Sequence, residues 1–179
     1  LKYHIIFFKK TFWYLPRKSF NFRHFVFITN PVLIVGLTIT FLGTGTSGGV
    51  PMVACQCHVC TSPHTKDKRL RSSVLVESAL TSIVIDTTPD FRQQMLRINN
   101  HKLDAVLFTH PHKDHTAGLD DIRAYNFFQQ KVMPVYANAL TEEAIKREFA
   151  YAFSDKKYPG MPEINLVTID NDPFIIGDI

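Results

Sequence analysis

The chain of 179 residues has the length of one domain, and its 45% hydrophobic content is enough to build a core. Its net charge of +4 is unevenly spread, because residues 1–36 hold six of the 20 Lys and Arg residues and none of the 16 Asp and Glu residues. The remainder is nearly neutral, so its charge does not favour a nucleic-acid-binding domain. No apolar run in the basic segment is long enough to span a bilayer.

Residues 1–36 differ from the rest of the chain and are predicted to lie outside the folded domain. They hold ten of the 22 aromatic residues, and neither strand alternation nor a helical stripe continues along them. We interpret them as a leader or as upstream sequence translated before the true start, with an interfacial membrane anchor as the alternative. Residues 37–179 then form the domain.

From residue 37 onward the sequence predicts strands first, and then strands that alternate with helices. The predicted strands are 37–45 (ending in a glycine turn), 72–78, 82–87, 103–109, 134–138 and 165–169, with one more beginning in 173–179. The predicted helices are a short one capped by Thr88, then 117–129 and 141–153. A long loop is predicted for residues 46–67. This order predicts a layered α/β domain.

The sequence HPHKDH, residues 110–115, holds three of the eight histidines at the end of predicted strand 103–109. His110 and His112 are two apart in an extended segment, so both side chains can point the same way, and Asp114 and His115 follow. Neutral imidazoles and carboxylates suit Zn, Mn or Fe. Sheets of this class place their sites at the C-terminal ends of strands. The motif therefore predicts a centre for two divalent metals; the alternative is three unrelated surface histidines.

The segment LFTHPHKDHTAGLDDIR resembles the metal motif of the metallo-β-lactamase-fold hydrolases, including the strand before it and the helix after it. The resemblance implies an αββα sandwich in which His110 and His112 bind one metal and Asp114 and His115 bind the second, with Asp114 as the candidate catalytic residue. IVIDTTPDFRQQML resembles another family segment, in which Asp86 braces the metal loop. Without that role, Asp86 caps the turn that follows it.

A glycine-rich segment, Gly43 to Gly48, matches the G-x-G-x-x-G spacing of dinucleotide-binding turns. That fingerprint requires a helix to start there, and a loop follows instead, so a tight turn is the simpler interpretation. In the resembling family this segment lies near the metal centre. The resemblance thus implies a substrate-proximal loop, formed by Thr44, Gly45, Thr46 and Ser47.

The three cysteines, Cys55, Cys57 and Cys60, fall within six residues and are predicted to hold one structural zinc. An odd, crowded set is a poor disulfide framework and indicates a reducing, cytoplasmic compartment. His58 and His64 are nearby candidates for the fourth ligand, and three buried reduced cysteines are the alternative. The cysteine insert resembles the branch of phosphoribosyl cyclic phosphate phosphodiesterases, in which the fourth ligand is a histidine near the C-terminus.

A short basic run, Lys66, Lys68, Arg69 and Arg71, precedes the first predicted hairpin. Such a run is typical of a solvated strand edge that discourages aggregation. The alternative is that it attracts an anionic substrate.

The resemblance implies a metal-dependent phosphodiesterase, in which a hydroxide held by two divalent ions (Zn or Mn) attacks a small cyclic or linear phosphodiester. The family's later ligands are two histidines and an aspartate, and no histidine follows His115. We therefore expect a fragment, the N-terminal half to two-thirds of the domain, that is inactive alone. The alternatives are a tRNA 3′-processing endonuclease of the same fold and a non-enzymatic remnant with a structural zinc. Nucleic acid is a less favoured partner than a small phosphodiester. A homodimer is compatible with the sequence.

Overall fold

The computed structural model describes residues 2–7, by their backbone, and residues 35–179. One seven-stranded sheet contains all of the described strands, which lie side by side in chain order. The strands are β1 (Lys2–Phe7), β2 (Val35–Gly43), β3 (Ser73–Glu77), β4 (Ser82–Ile85), β5 (Ala105–Leu107), β6 (Met133–Ala137) and β7 (Ile164–Thr168). Strands β1 to β4 pair antiparallel, and β4 to β7 pair parallel.

Strand β1 pairs with β2 over its whole length, with Lys2 opposite Thr40 and Phe7 opposite Val35. Residues 8–34 lie outside the described residues. That residues 1–36 are a leader therefore stays a prediction.

Five α-helices occur in the described part of the chain, and three single turns of 3₁₀-helix accompany them. The helices are α1 (His58–Thr61), α2 (Phe91–Arg97), α3 (Lys113–Thr116), α4 (Arg123–Gln129) and α5 (Ala139–Glu148). The 3₁₀ turns are Thr65–Asp67, Leu119–Ile122 and Ala150–Phe153. Strands β4 to β7 are added in one direction, so right-handed crossovers put their connecting helices on one face. The predicted layered α/β architecture is confirmed.

The main core lies on the face of the sheet that these helices cover. Leu75, Val84, Val106 and Val135, from four neighbouring strands, each have an exposed fraction of 0%. Their partners come from the helical layer: Phe91, Met95, Leu119, Ile122 and Ile145. Each such side chain stabilises the fold by about 1.5–3 kcal/mol. The opposite face carries a smaller cluster around Ile83, Ala105 and Ile176.

Two helices begin at other residues than predicted, because hydrogen bonds to Thr87 and Thr88 engage the backbone near their ends. The helix predicted from Thr88 begins at Phe91 with Asp90 as its N-cap, and the Thr88 hydroxyl accepts the Asp90 N–H at 3.1 Å. The helix predicted over 117–129 begins earlier, as α3, and is interrupted at Gly118. The Gly118 N–H donates to the Thr87 carbonyl at 2.8 Å instead of continuing the helix.

Helix α5 and the last predicted strand also differ from expectation. The Asn138 side chain accepts the Thr141 N–H, so α5 starts at Ala139, two residues earlier than predicted, and it ends at Glu148. The prediction of a strand beginning in 173–179 is wrong. The Asp178 carboxylate accepts hydrogen bonds from the hydroxyls of Ser78 (2.6 Å) and Thr81 (2.5 Å). These bonds fold the segment back onto the β3–β4 hairpin as a turn.

Gly118 lies where two segments approach too closely for a side chain. A Cβ there would lie 2.1 Å from the Thr88 carbonyl oxygen and 2.7 Å from the Phe91 Cβ. We expect Gly118→Ala to lower the free energy of unfolding by about 1–3 kcal/mol, as overpacking does. Urea denaturation measures the change, with Gly36→Ala as the control, since no atom of the described residues lies within 4 Å of its Cβ position. Equal losses in both variants would contradict this account.

Candidate metal centre

The four predicted metal ligands lie together at the C-terminal end of β5. The ring centroid of His110 is 4.7 Å from that of His112 and 4.0 Å from that of His115. The chain is extended up to His112 and becomes helical at Lys113, which brings Asp114 and His115 back beside the first pair. The Nε2 of His115 lies 3.3 Å from an Asp114 carboxylate oxygen.

Asp86 joins the end of β4 to this cluster. Its side chain is buried, with a residue exposure of 4%, and its φ of 64° is in the left-handed region. One carboxylate oxygen accepts the Thr109 N–H at 2.9 Å. The other accepts the Thr109 hydroxyl and lies 2.7 Å from Nδ1 of His115. Asp86 thereby fixes the His115 ring with Nε2 toward Asp114.

The donor set of the cluster fits divalent metal ions. Two ligand atoms about 2.1 Å from one tetrahedral zinc lie about 3.4 Å apart, close to the separation of His115 and Asp114. A carboxylate on the other ring nitrogen, as Asp86 provides, is the usual support of a metal-binding histidine. His110 and His112 offer a second pair of imidazoles next to the first. The arrangement could therefore hold two ions by two side chains each.

The three predicted structural-zinc ligands also meet. The sulfurs of Cys55, Cys57 and Cys60 all lie within 4.8 Å of one another. Among the described residues, no other three candidate metal ligands lie so close together. Neither His58 nor His64 belongs to this group, and His64 Nδ1 instead accepts the Lys66 N–H at 3.1 Å. All three thiols are free and at least partly exposed, so the structure does not support the alternative of buried cysteines.

Backbone amides favour the thiolate of Cys57. The amide of Cys60 makes the largest contribution, followed by the Cys55 thiol, and together they lower the pKa of Cys57 to about 7. Metal binding requires the thiolate form. Cys57 is therefore suited to bind a metal at neutral pH.

The glycine-rich turn contacts the start of β3 rather than the histidines. The Gly45 N–H donates to the Leu70 carbonyl at 2.7 Å, and Arg71 Nε donates to the Ser47 carbonyl at 2.7 Å. Arg71 also pairs with Asp90 at 3.0 Å, which lies four residues after Asp86. Among the described residues, no hydrogen bond links Thr44, Gly45, Thr46 or Ser47 to the histidine cluster. The substrate-proximal role of this loop stays a prediction.

A cleft of about 340 Å³ lies beside the cluster, between His112 and helix α5. Leu140 and Ala144 contribute apolar surface, and Arg147 is 73% exposed at the side chain. Two of the residues that line the cleft, Lys113 and Glu148, form an ion pair at 2.7 Å. The cleft offers space for a group attached to a substrate at the metal centre.

Thr109 is a site residue that the sequence reasoning missed. It makes two of the three contacts to the Asp86 carboxylate, and its hydroxyl lies 3.0 Å from Nδ1 of His110. Its position, a hydroxyl residue between a buried strand and the first histidine, is the signal that could have identified it.

The sequence profile of the beta-lactamase superfamily domain matches residues 81–179, which include Asp86 and the four candidate ligands. The chain belongs to the metallo-β-lactamase-fold family. Among solved members of this fold, a diphosphatase from the PhnP family is 40% identical, covers 79% of this chain and has a TM-score of 0.71. Zn²⁺-bound PqqB from Methylobacterium extorquens has a TM-score of 0.61 over 77% of the chain, and at 22% identity it supports the fold alone.

Curated proteins match as well. A protein named octanoyltransferase from Porphyromonas gingivalis is 44% identical over 140 residues, or 77% of this chain. Coenzyme PQQ synthesis protein B from Methylobacterium radiotolerans is 30% identical over 101 residues, or 49% of the chain.

The chain spans only part of each of these metallo-β-lactamase-fold relatives and curated proteins. It covers 53% of the diphosphatase, 48% of PqqB, 34% of coenzyme PQQ synthesis protein B and 28% of the octanoyltransferase. The name of the last protein refers to its whole chain, of which 72% is unmatched. Within the described ranges, no helix is both long and apolar enough to cross a bilayer.

The thiol of Cys57 is expected to react with iodoacetamide in a pH-dependent way that follows its lowered pKa. In metal-free protein the thiolate fraction rises through pH 7, so the alkylation rate should reach half of its maximum near that pH. Mass spectrometry of the proteolytic peptide that contains Cys57 measures the rate of alkylation. Zinc added before the reagent should protect the thiol. A midpoint at pH 8.5 or above would contradict the influence of the Cys60 amide.

Proposed function

We propose that the protein is a metal-dependent hydrolase of phosphorus–oxygen bonds that acts on a small phosphodiester or diphosphate. The observation that supports this most strongly is His115, held by buried Asp86 and directed at Asp114, beside His110 and His112. The family to which the chain belongs is one of hydrolases. The similarity to a diphosphatase at 40% identity favours a phosphoryl group as the reacting centre.

His110 and His112 would hold the first ion, and Asp114 and His115 the second, with zinc or manganese as the metals. Bound there, two divalent cations supply a nucleophilic water at neutral pH and neutralise charge on the phosphoryl oxygens. The four side chains leave room in both coordination shells. Further ligands from beyond the 179 residues are part of this proposal, since the matched part of the chain covers only 53% and 48% of the two solved relatives.

The other side chains act on these ligands rather than on the substrate. Asp86 accepts a hydrogen bond from the Nδ1–H of His115, which keeps Nε2 of that ring available as a metal ligand. Thr109 holds the Asp86 carboxylate from the opposite side through its amide and hydroxyl. Asp114 is both ligand and candidate catalytic residue, because its second carboxylate oxygen can accept a proton from the attacking water.

The three cysteines would hold a structural zinc that fastens the long loop between β2 and β3. That loop begins with the glycine-rich turn, so we propose that the cysteine site helps to keep Thr44 to Ser47 in place. The amides of Thr44, Thr46 and Ser47 would then be donors to a phosphate oxygen, since the Gly45 amide already donates to the Leu70 carbonyl. Free thiols and a thiolate-based metal site are consistent with a cytoplasmic protein.

The cleft beside His112 would receive the group that is esterified to the scissile phosphate. Its volume of about 340 Å³ is at the lower end of the range for small-molecule sites, which favours a small substrate over tRNA. The near-neutral charge of residues 37–179 also favours a small substrate over tRNA, because binding to nucleic acid depends on basic residues.

The replacement His112→Ala is expected to abolish hydrolysis by the complete gene product. With added Zn²⁺ or Mn²⁺, we expect turnover of bis(p-nitrophenyl) phosphate that falls at least 100-fold in this variant, since one ion loses an imidazole ligand. His101→Ala is the control, because His101 is exposed and lies before β5. Residues 1–179 alone should be inactive. Wild-type protein that cleaves a tRNA precursor but not the small ester would favour the endonuclease alternative.

Asp86→Asn is expected to weaken metal binding by 10- to 100-fold, as loss of a carboxylate behind a metal-binding histidine does. Asparagine also tolerates a positive φ, so the backbone of the variant can stay as it is. Isothermal titration with Zn²⁺ measures the affinity, in protein whose three cysteines are replaced by serine. Asp172→Asn, at an exposed position, is the control. Unchanged affinity in Asp86→Asn would refute the bracing role.

A further inference from the structure

A second and larger cleft, of about 550 Å³, lies away from the histidines, along the C-terminal half of β2. Its walls come from the glycine turn Gly43-Thr44, from residues 68–70 and from the end of α2. The charged residues among its walls are Lys68, Arg69 and Arg97, and all three are basic. A concave surface lined by charges of one sign concentrates ions of the opposite sign.

No carboxylate neutralises these three cations. Within residues 36–179, none of them takes part in an ion pair, whereas seven of the 14 Lys and Arg side chains there do. Residues 1–35 have no Asp or Glu that could supply a partner. The contacts that do occur are weak competitors for an anion: Arg97 donates to the Leu42 carbonyl, and Lys68 Nζ lies 3.5 Å from the Cys60 carbonyl.

The cleft opens near the edge of the sheet that carries the metal centre. Strand β2 runs parallel to β4 and β5, because each of the pairs β2–β3 and β3–β4 is antiparallel. Thr44 and His110 therefore follow strand ends on the same edge, three strand spacings or about 14 Å apart.

We propose that this cleft is an oxyanion site that binds a phosphate group, separate from the metal centre. Lys68 and Arg69 supply the charge, and Arg69 can present two parallel N–H donors to phosphate oxygens. Arg97 adds positive potential at the rear of the cleft, and Thr44 offers a hydroxyl at its mouth. The proposed ligand of the basic run in the sequence is therefore a phosphate or diphosphate group.

Titration of inorganic diphosphate into metal-free protein tests this site without any need for catalysis. We expect saturable binding that the double variant K68Q/R69Q weakens at least tenfold, and that weakens further as salt is added. The control is K156Q/K157Q, which removes the same charge from another pair of exposed, unpaired residues. Thermal melting of each variant shows that it is folded. Absence of binding by the wild-type protein, or an equal loss in both double variants, would overturn the proposal.

Kinetics of the complete gene product show whether the bound phosphate belongs to the substrate or to a separate ligand. This second experiment rests on the proposed function, because it requires hydrolysis. If the site binds a second phosphate of the substrate, K68Q/R69Q should raise KM for a substrate with such a group and leave KM for bis(p-nitrophenyl) phosphate unchanged. If it binds a separate phosphate ligand, both KM values stay unchanged while diphosphate binding is lost. Failure of hydrolysis itself would refute the proposed function and leave the binding result standing.

Discussion

The buried carboxylate of Asp86 is the interaction on which the candidate metal centre depends. A carboxylate that leaves water is stable only when its oxygens are hydrogen-bonded, and this one has three donors from two residues, Thr109 and His115. The residue also adopts a φ of 64°, which costs about 1–2 kcal/mol for a residue with a Cβ. Its N–H donates to the Leu107 carbonyl and its carbonyl accepts from the Ser73 hydroxyl, and these two bonds hold it in that conformation.

The same short segment after β4 fixes both ends of the histidine loop. Asp86 binds Thr109 at the start of the loop, and the next residue, Thr87, accepts the N–H of Gly118 at its end. Gly118 has no Cβ, so the chain that follows α3 can approach the backbone of residues 87–88 closely. The position of the four candidate ligands is thus determined by the hydrogen-bonded segment that follows a neighbouring strand, β4. A site built in this way is better ordered than one carried by a free loop.

The sequence alone predicted the parts of this arrangement that depend on local patterns. The β3–β4 hairpin, the buried strand β5 and the adjacency of His110, His112, Asp114 and His115 follow from periodicity and spacing. The helix break at Gly118, the role of Thr109 and the turn at Asp178 could not be predicted in the same way. Each depends on a hydrogen bond between residues 23 to 100 positions apart, and a local pattern, such as a hydroxyl residue before His110, does not specify the distant partner.

Strand direction explains why several candidate groups meet at one edge. Strands β2, β4, β5 and β6 run the same way and end at that edge with the glycine turn, Asp86, His110 and Asn138. Strand β3 runs the opposite way, so it contributes its start instead, where Arg71 links the glycine turn to Asp90. The basic side chains of this region therefore differ in whether a carboxylate pairs with them. Arg71 is neutralised by Asp90 and is structural, whereas Lys68 and Arg69 have no carboxylate partner and retain their charge for a ligand.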